Sequence, residues 1–324
     1  MKFSSGQITL LITAVATTAV IVLSSRKPSS SPESAEQVEQ MITAEDVKIE
    51  KALEIINGGG PPMEGILMLK ELADADEPNL DAVFLLAQLS EISGQDSLAV
   101  ERYNQLKEFA DADEPNIDAV FLLAQLNESF SQQTIAEKER EEALVTAINQ
   151  ESNVVEKNRL IKKLNEQQAE QTRQKKKAVE RYTQVLELDP NQIEATWQLA
   201  MLNMEMGDLE DAVTRFELCV EEDAAFANGY FFIGRCFEAM VRSGKEREDS
   251  LLNALAEESN VADKNILIQD LKYQQAQLPK HEQAALEAYK SYLPLSPDSA
   301  TSMGVEAIIN RLEVGATRAN DVNP

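Results

Sequence analysis

The sequence predicts an all-α chain in which antiparallel helix pairs stack as a repeat array, with two inserted helical hairpins and one apolar helix in front. Three observations predict it. Residues 77–89 (EPNLDAVFLLAQL) return almost unchanged 37 positions later, at 114–126, and a fixed period of that size marks stacked helical units. Gly and Pro are scarce, at 12 and 11 of 324 residues, which excludes a collagen-like chain and argues against a sandwich of many turns. Apolar residues make up 43% of the chain but aromatics only 5%, enough for a sizeable core built mostly from aliphatic side chains.

The elements follow in chain order. From Phe3 to Ser25 no side chain is ionisable, and residues 8–23 are apolar apart from Thr9, Thr13, Thr17 and Thr18. As a helix this stretch reaches roughly 34 Å, against a hydrocarbon layer of ~30 Å. Lys2, Arg26 and Lys27 flank it and can snorkel to the two interfaces. Residues 1–27 therefore read as an N-terminal transmembrane anchor. The competing reading is a cleaved signal peptide, for which Val22-Leu23-Ser24 is a poor cleavage site. A lipoprotein signal is excluded because the first cysteine is Cys219. Residues 28–43 (PSSSPESAEQVEQMIT) have no apolar period and read as a flexible linker. The expected setting is a single-pass inner-membrane protein with its repeats in a bacterial periplasm, although the flanking cations come close to a tie on orientation.

A first helix pair is expected at 45–57 and 63–73, around Gly58-Gly59-Gly60-Pro61-Pro62. The two near-identical segments then open the next two pairs, and weaker copies begin at Pro190-Asn191 and Asn228. Each carries a small residue (Ala87, Ala124, Ala200 or Gly234) where a second helix would approach closely. The second helices place a small residue four before an aromatic, in Ala99/Tyr103, Ala178/Tyr182, Ala212/Phe216 and Ala285/Tyr289. Gly94 and Gly207 mark turns within pairs, and Asp189-Pro190 and Ser296-Pro297 mark turns between them. A closing helix is expected at 300–315 and a disordered tail at 317–324.

Two pairs are longer than the rest, with insertions at about 131–172 and 241–279. The insertions are copies: Glu151-Ser152-Asn153-Val154 matches Glu258-Ser259-Asn260-Val261, 107 positions apart, and Gln167-Gln168 matches Gln274-Gln275 at the same offset. The chain thus reads as a duplicated two-repeat unit, 80–190 and 193–297. Apolar stripes at Ala143/Leu144, Ala147/Ile148 and Leu160/Ile161, Leu164 predict an extra helical hairpin bent near Asn153, with its copy bent near Asn260. Asn153 with Glu156, and Asn260 with Asp263, have the spacing of a reciprocal helix cap. Pro279 suits the first turn of the helix that resumes after the second hairpin.

These residues resemble tetratricopeptide repeats (TPR), most specifically at 178–237, which opens AVERYTQVLELDPNQIEATWQLAMLNMEMGDLEDAVTRF. The resemblance extends over about 44–316. It implies a TPR-like α-solenoid in which antiparallel pairs stack into a right-handed superhelix and the first helices line a concave surface. It also implies protein–protein interaction rather than catalysis.

The chemistry-bearing residues agree with that implication. Thirty cations against 56 acids give a formal charge of −26, which argues against nucleic acid as a partner. His281 has no Ser, Asp or Cys partner at an interpretable spacing and reads as a surface histidine. Cys219 and Cys236 fall on apolar faces and read as core thiols, with a disulfide conceivable in an oxidising compartment. The glycine run lacks the lysine of a phosphate loop. No catalytic residue, metal site or cofactor is expected.

A ladder of aromatics (Phe84, Phe121, Trp197, Phe231) precedes the repeated Leu/Ile of the first helices. Four residues after these aromatics come Gln88, Gln125, Met201 and Arg235, and three before them Asp81, Asp118, Glu194 and Asn228. Two readings stand: inter-repeat core, since large apolar side chains are usually buried, or a groove with an aromatic floor and acidic edge for a basic or amphipathic peptide. Family members that grip C-terminal carboxylates use Lys and Asn on this surface, where this chain has Phe84, Gln88, Phe121 and Gln125. Nine cations lie between Lys157 and Arg181, including Lys162, Lys163, Lys175, Lys176 and Lys177. They read either as partners of Glu137, Glu139, Glu141 and Glu142 or as a docking surface for an acidic patch, including one on a second copy. The function expected is a non-catalytic membrane-anchored TPR scaffold or adaptor. The alternatives are a self-assembling structural spacer and a cytosol-facing receptor or co-chaperone.

Overall fold

The computed structural model describes residues 43–58, 62–93, 95–131, 135–258, 260–296 and 300–322. The apolar segment at 3–25, the expected linker before Thr43, and residues 59–61 and Gly94, expected as turns, lie outside them. Among the described residues there is no strand, and no helix is long and apolar enough to cross a membrane. The chain divides into two compact units, Met1–Gln192 and Ile193–Pro324, and the boundary falls between the two copies of the duplicated sequence.

The first unit contains α1 (Ala44–Asn57), α2 (Pro62–Ala73), α3 (Leu80–Ile92), α4 (Asp96–Ala110), α5 (Ile117–Ser131), α6 (Ile135–Gln150) and α7 (Val154–Leu188). Asparagines begin the two near-identical helices. The Asn79 Oδ1 accepts from the Ala82 amide at 3.1 Å and the Asn116 Oδ1 from the Ala119 amide at 3.0 Å, so the repeated Pro-Asn is a helix start. α1 opens with a reciprocal cap: the Thr43 hydroxyl accepts from the Asp46 amide at 3.1 Å, while the Asp46 carboxylate accepts from the Thr43 amide at 2.8 Å. Successive helices pack on one another, with α3 also against α5, and α5 against α7 rather than α6. Val83, Phe84 and Leu85 of α3, Leu106 of α4 and Leu123 of α5 fill the shared core.

Ion pairs join the second helices of this unit. Arg102 on α4 reaches Asp74 after α2 at 2.7 Å, and Arg181 on α7 reaches Asp111 after α4 at 2.6 Å. The Arg102 side chain is nearly buried, so its charge needs that partner. Hydrogen bonds from Lys70 and then Arg102 hold the Asp74 carboxyl below its usual range; for Asp111 the order is Arg181, then Lys107.

The second unit contains α8 (Ile193–Met206), α9 (Leu209–Glu222), α10 (Ala227–Glu257), α11 (Val261–Tyr292), a short 3-10 turn (Leu293–Leu295) and α12 (Ala300–Val322). Each helix packs on the next. Gly207 takes φ +88° in the turn between α8 and α9, a left-handed conformation that other residues adopt at a cost. Gly234 on α10 has a different role: an added Cβ would lie 2.6 Å from the Tyr289 ring of α11. That is the close approach the small-residue positions predict.

The second inserted hairpin is not a separate element. α10 runs unbroken through 241–257, and α7 and α11 run unbroken from the bend to the end of their repeats. The second insertion therefore lengthens both helices of its pair into one arm, and in the first copy α6 and the lengthened α7 form the corresponding arm. Between α5 and α6, residues 132–134 lie outside the described residues, and the two copies differ in length there. Phe121 and Phe231 are 110 positions apart, but Asn153 and Asn260 only 107. The first copy holds three extra residues before its Lys-Glu-Arg-Glu run at 138–141.

Pro279 lies inside α11 and not at a helix start. Its missing N–H removes one helical hydrogen bond, and flanking packing through Leu278 and Ala285, both buried, keeps the helix continuous. The expected Asn–Glu and Asn–Asp reciprocity at the bends is replaced. The Asn153 side chain accepts from the Val155 and Glu156 amides at 2.9 and 3.3 Å, but its own amide donates to Glu151 at 2.7 Å. Asn260 repeats this with Ala262 and Glu258. Glu156 instead meets Arg159. α12 continues past Gly315 to Val322, into the segment expected as a tail, because no proline interrupts residues 315–322.

Replacing Gly234 with Leu should destabilise the second unit by about 1–3 kcal/mol, the typical cost of overpacking a filled interface. Urea unfolding followed by Trp197 fluorescence measures it, and an unchanged midpoint would contradict the close approach.

Candidate functional site

The aromatic ladder is largely core. Phe84 is 1% and Phe121 6% exposed, and the Phe121 ring meets Tyr182 edge-on at 5.6 Å. These two cannot floor an open groove, which corrects the peptide-groove reading for them. Trp197 is half-buried among Phe216, Phe226 and Phe232, with ring centroids 5.1, 4.8 and 5.5 Å away. Met201 packs against the same cluster. Phe231 packs on Phe232, Tyr289 and Tyr292. The ladder spacing found helix–helix packing, for which the same large side chains are required.

The polar members divide. Asp81 is buried, Gln88, Gln125 and Glu194 are half-buried, and Asp118 and Arg235 are exposed. Within the first unit Asp118 therefore stays at the surface while Asp81 does not. In the second unit Arg235 lines an open cleft of about 700 Å³ between α10, α11 and α12.

That cleft is strongly charged. Arg235, Arg242 and Lys245 come from α10 at spacings that share a face, Glu282 from α11 and Arg311 from α12. Part of the charge is internally matched: Arg311 meets Glu238 at 2.5 Å and Lys245 meets Glu282 at 2.9 Å. Glu238 also accepts from the Tyr289 hydroxyl at 2.6 Å. Burial, then this carboxylate, pushes the Tyr289 phenol far above its ordinary value. Arg235, Arg242, Glu246 and Asp249 form no ion pair among the described residues, so they are the groups free to meet a ligand. Ladder spacing in the sequence picks out Arg235 but not Arg242 or Arg311. Their signal was weak, because they share no repeat position with one another.

In the first unit a smaller cavity of about 280 Å³ opens between α3, α4, α5 and α7, lined by Val100, Tyr103, Asn127, Gln174 and Lys177. Lys177 and Lys175 are half-buried, whereas Lys162, Lys163 and Lys176 are exposed. Within the arm, Arg159 pairs with Glu156, Lys162 with Glu166 and Arg173 with Glu170, all along α7 itself. Between the two arm helices the Gln168 amide donates to Glu141 at 2.8 Å, repeated by Gln275 and Glu248 at 2.7 Å.

His281 is half-buried beside the Phe237 ring at 5.9 Å and has no ion pair or ring-nitrogen hydrogen bond at Nδ1. Cys219 and Cys236 are free and buried. Burial pushes both thiols up to about 11, with nearby Glu194 adding to the effect at Cys219 and Arg235 opposing it at Cys236. No group of three or more metal-ligating side chains occurs among the described residues.

No protein-family model matches the chain, and no curated protein matches it. Among solved structures, a crystal structure of MamA protein is 14% identical over 78% of this chain and 95% of that one, with a TM-score of 0.39. A second crystal structure of MamA is 16% identical over 76% and 95%, with a TM-score of 0.36. The crystal structure of the P58(IPK) TPR domain is 14% identical over 82% and 77%, with a TM-score of 0.23. A TPR domain is thus among the structural neighbours.

Trp197→Ala should cost about 3 kcal/mol of stability, as expected when a large aromatic leaves a packed cluster. A circular-dichroism urea titration checks this, and a loss below about 1 kcal/mol would return Trp197 to the surface.

The thiols give a pH prediction with a definite sign. Unfolded, each ionises near its ordinary value of 9.0; folded, only near about 11. Their contribution is full below pH 9 and is lost as pH rises toward 11. A Cys219→Ala/Cys236→Ala variant should show a shallower loss of unfolding free energy across that window than the parent chain.

Proposed function

We propose that this chain is a non-catalytic, TPR-like scaffold that recruits a protein partner through the cleft of its second unit. The observation that carries the reading is the cleft itself: an open space of about 700 Å³ where Arg235 and Arg242 line one helix with Glu246 and Asp249. Cations and acids without internal partners, set on rigid helices, suit an amphipathic peptide carrying both signs of charge. Arginine adds planar, multidentate donors for carboxylates on such a peptide. The apolar, uncharged segment at 3–25, flanked by Lys2, Arg26 and Lys27, supports tethering of the scaffold to a bacterial inner membrane with the repeats in the periplasm. An acidic body held beside anionic headgroups is repelled from them, so a spacer such as 28–43 has a physical use.

A photo-crosslinking amino acid placed at Arg242 in the full chain, in its native membrane, should yield a discrete protein adduct identified by mass spectrometry. The same probe at exposed Ser250, outside the cleft lining, should not. Arg235→Glu in the probe-bearing chain should reduce the adduct about tenfold or more, as for a like charge placed in a binding site. Equal labelling at both positions would remove the cleft from the mechanism.

A further inference from the structure

The two arms are copies in backbone and opposites in surface. On α11, Ala262, Ile266, Gln269, Tyr273 and Ala276 recur at alternating spacings of four and three, which places them on one helix face. All five are exposed, Ile266 at 58% and Tyr273 at 67%. The opposite face of α11, through Leu271 and Leu278, is the one buried in the unit. Asp263 and Asp270 flank one edge of the outward strip and Lys272 the other.

The matching strip on α7, 107 positions earlier, reads Val155, Arg159, Lys162, Glu166 and Ala169, with Lys163 alongside. It too is exposed, Val155 at 79%. Arg159 and Lys162 contact only carboxylates of their own helix, at 3.4 and 3.6 Å. Exposed pairs of this kind are worth little and exchange readily for a better partner.

We propose that the α11 strip of one copy docks on the α7 strip of a second copy. Asp263 and Asp270 then face the Arg159, Lys162 and Lys163 cluster. The Tyr273 ring lies within reach of a guanidinium, a favourable cation–π arrangement, and Ile266 and Val155 lose water. A second copy is the occupant on charge grounds. A chain of −26 repels itself, and the arm cations provide one surface where its acidic side chains are attracted. Like strips are disfavoured, since two α11 strips oppose aspartates and two α7 strips oppose cations. The contact is therefore heterologous, and a heterologous contact that does not close generates chains of copies. This assembly is separate from partner capture by the cleft, and either can fail without the other.

Sedimentation velocity of the full chain in a mild non-ionic detergent tests the proposal. At low salt the sedimentation coefficient should rise with protein concentration, and at high salt the rise should vanish. Asp263→Lys/Asp270→Lys should weaken association about tenfold or more, as should Arg159→Glu/Lys162→Glu/Lys163→Glu. An equimolar mixture of the two variants should assemble again, because each then offers the other a complementary strip. Restoration by mixing also shows that neither variant has lost its fold. A concentration-independent parent chain, a variant that assembles like the parent, or a mixture that stays dispersed would each overturn the proposal.

Discussion

Tyr182 and Tyr289 are the two largest fully buried side chains of the described residues, and the geometry around each depends on one interaction. The phenol donates to a glutamate on the paired first helix, Glu128 at 3.0 Å in one unit and Glu238 at 2.6 Å in the other. The ring packs against a phenylalanine of the same first helix, Phe121 or Phe231. A buried hydroxyl without a partner would be costly, so the glutamate and the tyrosine must stay in register. That requirement sets how the long second helix lies on the first. The arm beyond it inherits that placement, with the Gln168–Glu141 and Gln275–Glu248 bonds repeating it farther out.

Duplication explains why two such arms exist, and divergence explains why they differ. Residues that bond or pack within each pair keep their types across the 107-position offset: buried Tyr182 and Tyr289, the bonding Gln168 and Gln275, and the capping Asn153 and Asn260. Outward positions have drifted, so that Arg159 on one arm corresponds to Ile266 on the other and Glu166 to Tyr273. Packing constrains one face of a helix and leaves the other open to change. A surface that changes from charged to apolar without unfolding the arm shows that the arm's stability does not come from that face.

Much of the fold was legible in the sequence because it depends on residues with narrow roles. The Pro-Asn starts, the bends at Asn153 and Asn260, and the small residue at Gly234 each answer one steric or hydrogen-bonding need. The second hairpin was misread as a separate element because apolar stripes report a helix face but not whether one helix continues into the next. Pro279 reinforced the error: proline usually marks a first turn, yet here packing on either side outweighs one lost hydrogen bond. The site was less legible. Phe84 and Phe121 occupy the ladder as strongly as Trp197, and sequence spacing alone does not separate a buried aromatic from one in a groove. The cleft residues Arg242 and Arg311 lie 69 positions apart, and only the packing of α12 beside α10 brings them together.

Charge then decides what such a molecule can bind. Nine of its 30 cations lie on α7 and four line the cleft, while its acids are spread along every helix of both units. A diffuse negative field keeps unrelated acidic proteins away, and specificity falls to the places where the sign reverses. In the cleft the reversal is partial: Glu238 is occupied by Tyr289 and Arg311, so Arg235 and Arg242 act against an acidic background and favour ligands carrying both signs. On α7 the reversal is fuller and the surface is open. The chain's two cationic regions are thus chemically unlike, one recessed and mixed, the other exposed and basic, and a single partner chemistry would not satisfy both.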